Sequence, residues 1–370
     1  MKKNLELLKN TTVIDFSRLL PGGLCSMILS DLGADVIKIE DPLHGDYIRK
    51  IPPLVDENSI YFHILNRNKK SLGLDLKNPS NKDILYKLIK TSDIVIESFR
   101  PGVTKRLQID YDTLKNIKND LIYCSITGYG STGPYSNLAS HDINYISIAG
   151  LVGLSDPPIV PQIQIADISG ALYATIGIMA ALLDKKTTGK GKFIDISLTD
   201  SVIPWLTLFM GLYSLNKKVS SKDLLLSGEY PCYRIYKAKD GYISLGAIEP
   251  HFWENFCRSI NRLDLIDKQF VYGDQGKEVI NSLEEMFITR TKHEWFELFK
   301  DKDVCLTPVN NLEEVINDPQ IIHRELITEL EKIKQINLPI KFNGFSNKIN
   351  NKAPILGEHT EQILKQLINN

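Results

Sequence analysis

Cysteine is scarce in this chain. There are five in 370 residues, Cys25, Cys124, Cys232, Cys257 and Cys305, odd in number and widely spaced, with no C-x-x-C pair. That excludes a disulfide framework and a cysteine zinc site, and fits reduced thiols in a cytoplasmic protein. Cys124, inside an apolar strand, reads as packing. A charge excess is also missing: 44 Lys and Arg stand against 45 Asp and Glu, a net charge of -1. Nothing therefore favours nucleic acid or an anionic membrane as a partner, although a local basic patch for a phosphate-bearing ligand stays compatible. Residues Met1–Asn10 are polar and basic without the apolar core of a secretory leader. The most apolar segments, Ile168–Leu183 and Val202–Leu215, fall short of 18 uninterrupted apolar residues, so buried helices are expected rather than membrane spans. The end Leu367-Ile368-Asn369-Asn370 is not a peroxisomal address. No internal repeat occurs, and the turn of the first β-α-β unit, Pro21-Gly22-Gly23, is not a G-x-G-x-x-G.

What is present is ordinary for a globular protein, with 43% apolar and 24% charged residues. The length is too great for one small core, so two domains are expected. Thr12–Phe16 is a β-branched strand. Pro21-Gly22-Gly23 turns into a helix, Leu24–Leu32, ended by Gly33, and a second strand follows at Asp35–Ile39. Helix Asp83–Lys90, strand Ile94–Ile96, helix Tyr111–Lys118 and strand Leu121–Ile126 repeat the pattern, which predicts a doubly wound α/β domain with a parallel sheet. Ile168–Leu183 is apolar nearly all round and is expected to be central and buried, as is Val202–Leu215, with strand Phe193–Ser197 between them. The polar stretch Lys217–Leu226 marks the domain boundary.

Beyond it, Tyr230–Tyr236 and Tyr242–Leu245 flank the turn pair Asp240-Gly241. Helical stretches follow at Phe252–Ser259, Ser282–Ile288 and Lys292–Lys300, so the second domain reads as smaller and α+β. The chain then returns to the first domain through a strand at Ile340–Phe342 and a helix from Thr360. The expected division is 1–216, 217–325 and a C-terminal segment, 326–370.

Three constellations carry chemical potential. Glu40 ends the second strand where a ribose-binding acid sits, but Pro21-Gly22-Gly23 is no dinucleotide loop, and a solvated strand end fits equally. Asn66-Arg67-Asn68-Lys69-Lys70, with Arg100 and Arg106, form a candidate anion set, since charges past the carboxyl ends of parallel strands line ligand crevices. Solvated faces are the competing reading. The third is His141 with Asp167, each in the first turn of a predicted helix, the first of these capped by Ser140. The partial positive charge of a helix start keeps His neutral and Asp ionised near pH 7, making both bases, with backbone N–H groups nearby for a developing oxyanion. Glu249 in Gly246-Ala247-Ile248-Glu249-Pro250 is placed to orient an imidazole, or is a surface loop acid.

Several segments together resemble the family III CoA-transferase (CaiB/BaiF) superfamily, and within it the α-methylacyl-CoA racemase branch. They are Leu32-Gly33-Ala34-Asp35-Val36-Ile37-Lys38-Ile39-Glu40, Arg100-Pro101-Gly102-Val103, Thr127-Gly128-Tyr129-Gly130 with Gly133-Pro134, Thr188-Gly189-Lys190-Gly191 and Leu356-Gly357-Glu358-His359-Thr360. His141-Asp142-Ile143-Asn144-Tyr145 matches the racemase motif. The resemblance implies His141 and Asp167 as catalytic bases and Glu249 as the acid supporting the His. In transferases of the family the residue matching Asp167 is a nucleophile that forms acyl-CoA anhydrides, and the His is typically absent. The implied reaction is a 1,1-proton transfer through an enolate of a 2-methylacyl-CoA, with CoA as part of the substrate and no further cofactor. Implied CoA contacts are Lys38, the segment Leu72, Gly73, Leu74 and Asp75, the turn Ser98-Phe99-Arg100, Arg106, and Asp142 with Tyr145. Lys38, where some relatives carry Arg, keeps the charge without the bidentate fork. The implied fold is a large Rossmann-like domain completed by the C-terminal segment, plus a small domain. The implied assembly is an interlocked homodimer in which Glu249 acts from the partner chain.

Overall fold

Short β-branched runs make the centre of the fold. The computed structural model describes residues 3, 4, 6–216, 219, 226–346, 349 and 351–369. Six strands form one sheet: β1 (Thr12–Asp15), β2 (Asp35–Glu40), β3 (Lys70–Gly73), β4 (Ile94–Glu97), β5 (Ile122–Thr127) and β6 (Lys192–Ser197). Their spatial order is β3-β2-β1-β4-β5-β6 and every pairing is parallel. This is the doubly wound order, which reverses direction between β1 and β4. Strand β3 has no counterpart in the sequence reading. Its four residues, Lys-Ser-Leu-Gly, are too few to show a period.

Both faces of the sheet are covered, so successive residues along a strand enter different cores. Val13, Val36, Ile94, Ile96 and Ile122 pack with helices α1 (Leu19–Asp31) and α5 (Ile165–Thr188). Their neighbours Ile14, Ile37, Val95 and Tyr123 pack with α2 (Lys82–Lys90), α3 (Tyr111–Ile117) and Ile363 of the C-terminal helix α10 (Thr360–Asn369). The C-terminal segment thus completes the α/β unit. Helix α4 (Asp142–Ile148) precedes α5.

Contacts divide the chain into two units. One holds Met1–Gly153, Pro158–Thr207 and Arg324–Asn370; the other holds Leu154–Pro157 and Leu208–His323. The expected boundary stretch Lys217–Leu226 lies largely outside the described residues. The second unit has an antiparallel sheet of β7 (Tyr233–Ala238), β8 (Gly241–Gly246) and β9 (Leu306–Pro308). Helices α7 (Pro250–Ser259), α8 (Gly273–Phe287) and α9 (Lys292–Phe299) pack on it through Trp253, Phe256, Phe287, Trp295 and Phe299. Helix α6 (Thr207–Asn216) precedes β7.

The structure corrects several expectations. Helix α1 begins before Pro21-Gly22-Gly23, not after it. Proline is tolerated in a first helical turn, and a Cβ on Gly22 would lie 2.2 Å from Cβ of Ser17. Helix α5 is buried on one side only. Ala166, Ala171, Ala174 and Ile178 face the core, but Leu172, Ile176 and Leu183 are 46%, 61% and 65% exposed. Of the predicted buried helix Val202–Leu215, Leu208, Met210 and Leu215 are likewise exposed. The β7–β8 turn is Lys239-Asp240, with Gly241 paired to Ala238 and the Asp240 carboxylate accepting from Lys292 N–H. Ile340–Phe342 is not a strand; β10 (Ile327–Leu330) and β11 (Ile333–Ile336) form a hairpin before it.

The expected anion cluster at Asn66–Lys70 is interior. Arg67 donates to Asp31 (2.7 Å), to Gln335 Oε1 (3.0 Å) and to Ile336 O (2.7 Å). Lys69 Nζ meets Asp15 (3.2 Å) and Ser26 Oγ (2.6 Å), and Lys70 pairs with Asp35 (2.8 Å). Glu40 is not a ribose acid but the bidentate partner of Arg49, at 2.7 and 2.8 Å. Removing one partner of a buried pair strands the other charge, so Arg67→Ala is expected to lower stability by about 3–5 kcal/mol. Urea unfolding reads this directly; a loss under 1 kcal/mol would contradict the structural role given to Arg67.

Candidate active site

Ligands of doubly wound sheets bind past the carboxyl ends of the strands where the order reverses. Here that point lies between β1 and β4. The two ends are tied across it, because Arg18 N–H donates to Ser98 Oγ at 2.9 Å. Above them opens a cavity of about 1060 Å³ whose walls all belong to the first unit.

His141 and Asp167 both line this cavity, as do Ser98, Phe99, Arg100, Arg106, Asp142 and Tyr145. Helix α4 starts one residue later than expected, so His141 rather than Ser140 is its N-cap, in extended conformation. Asn144 Oδ1 accepts from His141 N–H at 3.0 Å, which fixes this start. The imidazole-bearing residue therefore stands exposed at the cavity wall. Asp167 is the third residue of α5. One hydrogen bond joins the two helix starts: the Asp142 carboxylate accepts from Asp167 N–H at 3.0 Å. The Asp167 amide is thus already engaged and is not among the backbone N–H groups open to an oxyanion.

Burial, and then the Asp142 charge, push the Asp167 carboxyl up to about 7. This overturns the expectation of a fully ionised Asp167 at neutral pH. The helix start favours the anion, but half-burial and a neighbouring carboxylate outweigh it. Tyr145 is fixed by its hydroxyl, which donates to Ser140 O at 2.8 Å, and by an edge contact to Tyr129. Its ring lies so near Gly128 that a Cβ there would come within 2.5 Å, which explains the glycine. Burial, then the Asp167 charge, raise the Tyr145 hydroxyl to about 12, so it stays a donor.

The other expected residues are distributed differently. Leu72 and Gly73 belong to β3; Leu72 is fully buried, and Gly73 N–H donates to Thr360 Oγ1 at 3.1 Å. Leu74 and Asp75 border a recess of about 100 Å³ that shares Arg18, Leu76, Lys77, Phe99 and Leu107 with the main cavity. Lys38 also borders it, but its ammonium is 2% exposed and held by Asp46 (2.9 Å) and Ser17 O (2.8 Å). Lys38 therefore supports the wall and does not reach out to a ligand. Glu249 lies in the second unit, as N-cap of α7.

Sequence reasoning passed over Arg18, Tyr47, Lys77 and Lys82, all cavity residues. Arg18 stands three residues past the end of β1, as Arg100 stands three past the end of β4, and the strand-end rule that flagged Arg100 would have flagged it too. Beside it Leu19 has a φ of 61°, a left-handed conformation that costs a non-glycine residue about 1–3 kcal/mol.

Two outcomes follow from the electrostatics. Asp142→Asn keeps an acceptor for the Asp167 amide but removes the charge. The ionisation governing kcat/KM is then expected to move to lower pH; an unmoved profile would separate Asp142 from Asp167. Asp167 is protonated to about pH 7 when folded but only to about pH 4 when unfolded. The folded state binds the extra proton between those values, so stability falls as pH rises through that window. Asp167→Asn is expected to raise Tm at pH 8, by a margin that vanishes toward pH 4 in thermal scans.

A family model for CoA-transferase family III matches residues 8–360. Human succinyl-CoA:glutarate CoA-transferase is 33% identical over 99% of this chain and 87% of its own. Human α-methylacyl-CoA racemase is 32% identical over 97% of this chain and 93% of its own. A CaiB/BaiF family protein from Brucella suis superimposes with a TM-score of 0.86 at 28% identity, over 99% of this chain and all of that one.

Proposed function

The chain belongs to CoA-transferase family III, and on that premise we propose that it is an α-methylacyl-CoA racemase, interconverting (2R)- and (2S)-2-methylacyl-CoA thioesters. The carrying observation is the pairing in one cavity of His141 with an Asp167 whose carboxyl titrates at about 7. Epimerisation in both directions needs each group to act as acid in one direction and base in the other. Proton transfer is most effective when the group's pKa lies near the working pH. A carboxylate nucleophile, by contrast, is useful only when ionised, and burial at Asp167 opposes that form.

In this reading the thioester lies with its α-carbon between the two groups. One removes the α-proton, the thioester carbonyl takes the electron pair as an enolate, and the other returns a proton to the opposite face. Tyr145 holds Ser140, the residue before His141, and so fixes the direction from which the imidazole approaches. Arg100 and Arg106 supply positive charge for the CoA phosphates. A second copy of the chain would contribute Glu249 to the His, and the exposed Leu172, Ile176 and Leu183 stripe on α5 suits burial against it.

Incubated in D₂O, a 2-methylacyl-CoA is expected to exchange its α-hydrogen and lose its chirality. His141→Ala should slow exchange about 10²–10⁴-fold, the range of a lost general base. The second reading is a CoA-transferase with Asp167 as nucleophile, favoured by the equally similar succinyl-CoA:glutarate relative. It requires an unchanged α-hydrogen, a hydroxylamine-trappable acyl intermediate, CoA transfer to a free acid and indifference to His141→Ala. That set of results would replace the racemase.

A further inference from the structure

Arg18 is a cavity cation that the mechanism leaves unused. The cations beneath it, Lys38, Arg49, Arg67 and Lys69, each hold a carboxylate. Among the described residues no carboxylate pairs with Arg18, and its guanidinium stands in the cavity wall. It lies 5.9 Å from the Tyr47 ring centroid and 5.6 Å from that of Phe99, which restrict its swing. Its backbone is held twice over, by the Ser98 hydrogen bond and by the left-handed turn at Leu19. Backbone strain of this kind clusters at active sites and ligand clamps.

Arg18, Tyr47 and Asp167 line the same cavity, so an acyl group held at Asp167 shares its chamber with the guanidinium. Lys77, Lys82, Arg100 and Arg106 provide separate positive charge in the same walls for phosphates. A guanidinium steadied by aromatic rings offers a planar fork that matches a carboxylate. A purely hydrocarbon acyl chain would bury that fork without a partner, which is unfavourable.

We propose that Arg18 is a specificity residue that binds a carboxylate at the far end of the acyl group, so that the preferred substrates are CoA thioesters of branched dicarboxylic acids. This rests on the reading that places the acyl group at Asp167, but not on which reaction follows there.

The test uses ligands that cannot react by α-proton transfer. The CoA thioesters of 2,2-dimethylsuccinic, 2,2-dimethylglutaric and 2,2-dimethyladipic acid, each joined next to the dimethyl carbon, carry no α-proton. Each is compared with its ω-methyl ester by calorimetric Kd on the full chain. The free acid is expected to bind about 10–100-fold tighter than the ester for at least one length, as a charge-assisted hydrogen bond provides. Arg18→Gln should bring that ratio to within about twofold, and Arg18→Lys should restore part of it. The proposal is overturned if the intact protein shows no preference at any length, or if the preference survives Arg18→Gln. It is equally overturned if Arg18→Gln weakens free CoA as much as it weakens the acid, since Arg18 would then be a phosphate contact. The D₂O exchange result stands apart: a failed exchange with an intact acid preference removes the racemase and leaves the carboxylate site.

Discussion

The carboxyl edge of the sheet rests on buried ions. Asp15, Lys38, Glu40, Asp46, Arg49 and Lys69 are all less than 5% exposed. Charges removed from water are tolerable only when paired and fully hydrogen-bonded. The pairing therefore dictates where the chain goes after each strand. Lys69 in the approach to β3 must meet Asp15 at the end of β1. Lys38 in β2 must meet Asp46 in the following loop, and Arg49 must return to Glu40. Arg67, which precedes β3, holds Asp31 at the end of α1 together with Gln335 and Ile336, so the C-terminal segment is also tied to the opposite, amino edge. The cost of this arrangement is visible in Lys69, whose ammonium burial pulls down to about 8 in spite of Asp15.

The cavity inherits its rigidity from that lattice. Tyr47 forms wall because Asp46, the residue before it, is fixed three ways: by Lys38, by a backbone donation to Glu40 at 3.0 Å, and by accepting from Ile48 N–H. Arg18 forms wall because Ser17 is tied to Asp15 through its N–H at 2.9 Å, while Arg18 itself is tied to Ser98. The residues that line the cavity here are thus one position away from residues that are locked inside. A ligand site built this way keeps its geometry without relying on its own side chains for stability.

This adjacency also explains what was legible in the sequence. The short β-branched and apolar runs of β1, β2, β4 and β5 recur between helical stretches, so the doubly wound domain could be read directly. His141 and Asp167 could be read as helix-start residues because capping is local chemistry. The burial of Arg67 and Lys69 could not, since their partners Asp31 and Asp15 lie 36 and 54 residues away in sequence, and a run of basic residues looks the same solvated or interior. The one-sided burial of α5 was equally hidden, because composition records how apolar a helix is, not how many neighbours it has. Strand β3 was missed as a strand although the family pattern had marked it as a ligand segment; its Leu72 is core and its Gly73 meets the C-terminal helix.

Asp167 shows where local reasoning fails at the site itself. The helix start argues for an ionised carboxylate, worth typically a fraction of a kcal/mol to about 2 kcal/mol. Burial and the Asp142 charge act in the opposite sense, and desolvation alone is able to move a carboxyl by several pKa units. The second effect is the larger, so a carboxyl that a sequence places in a favourable helix turn titrates near neutrality. The same Asp142 that raises it also binds its amide. One side chain, contributed by the residue that follows His141, therefore helps set both the position of Asp167 and, after burial, its proton affinity. A change at Asp142 acts on both the amide and the carboxyl of Asp167, which ties the start of α4 to the start of α5 more tightly than their separation of 25 residues suggests.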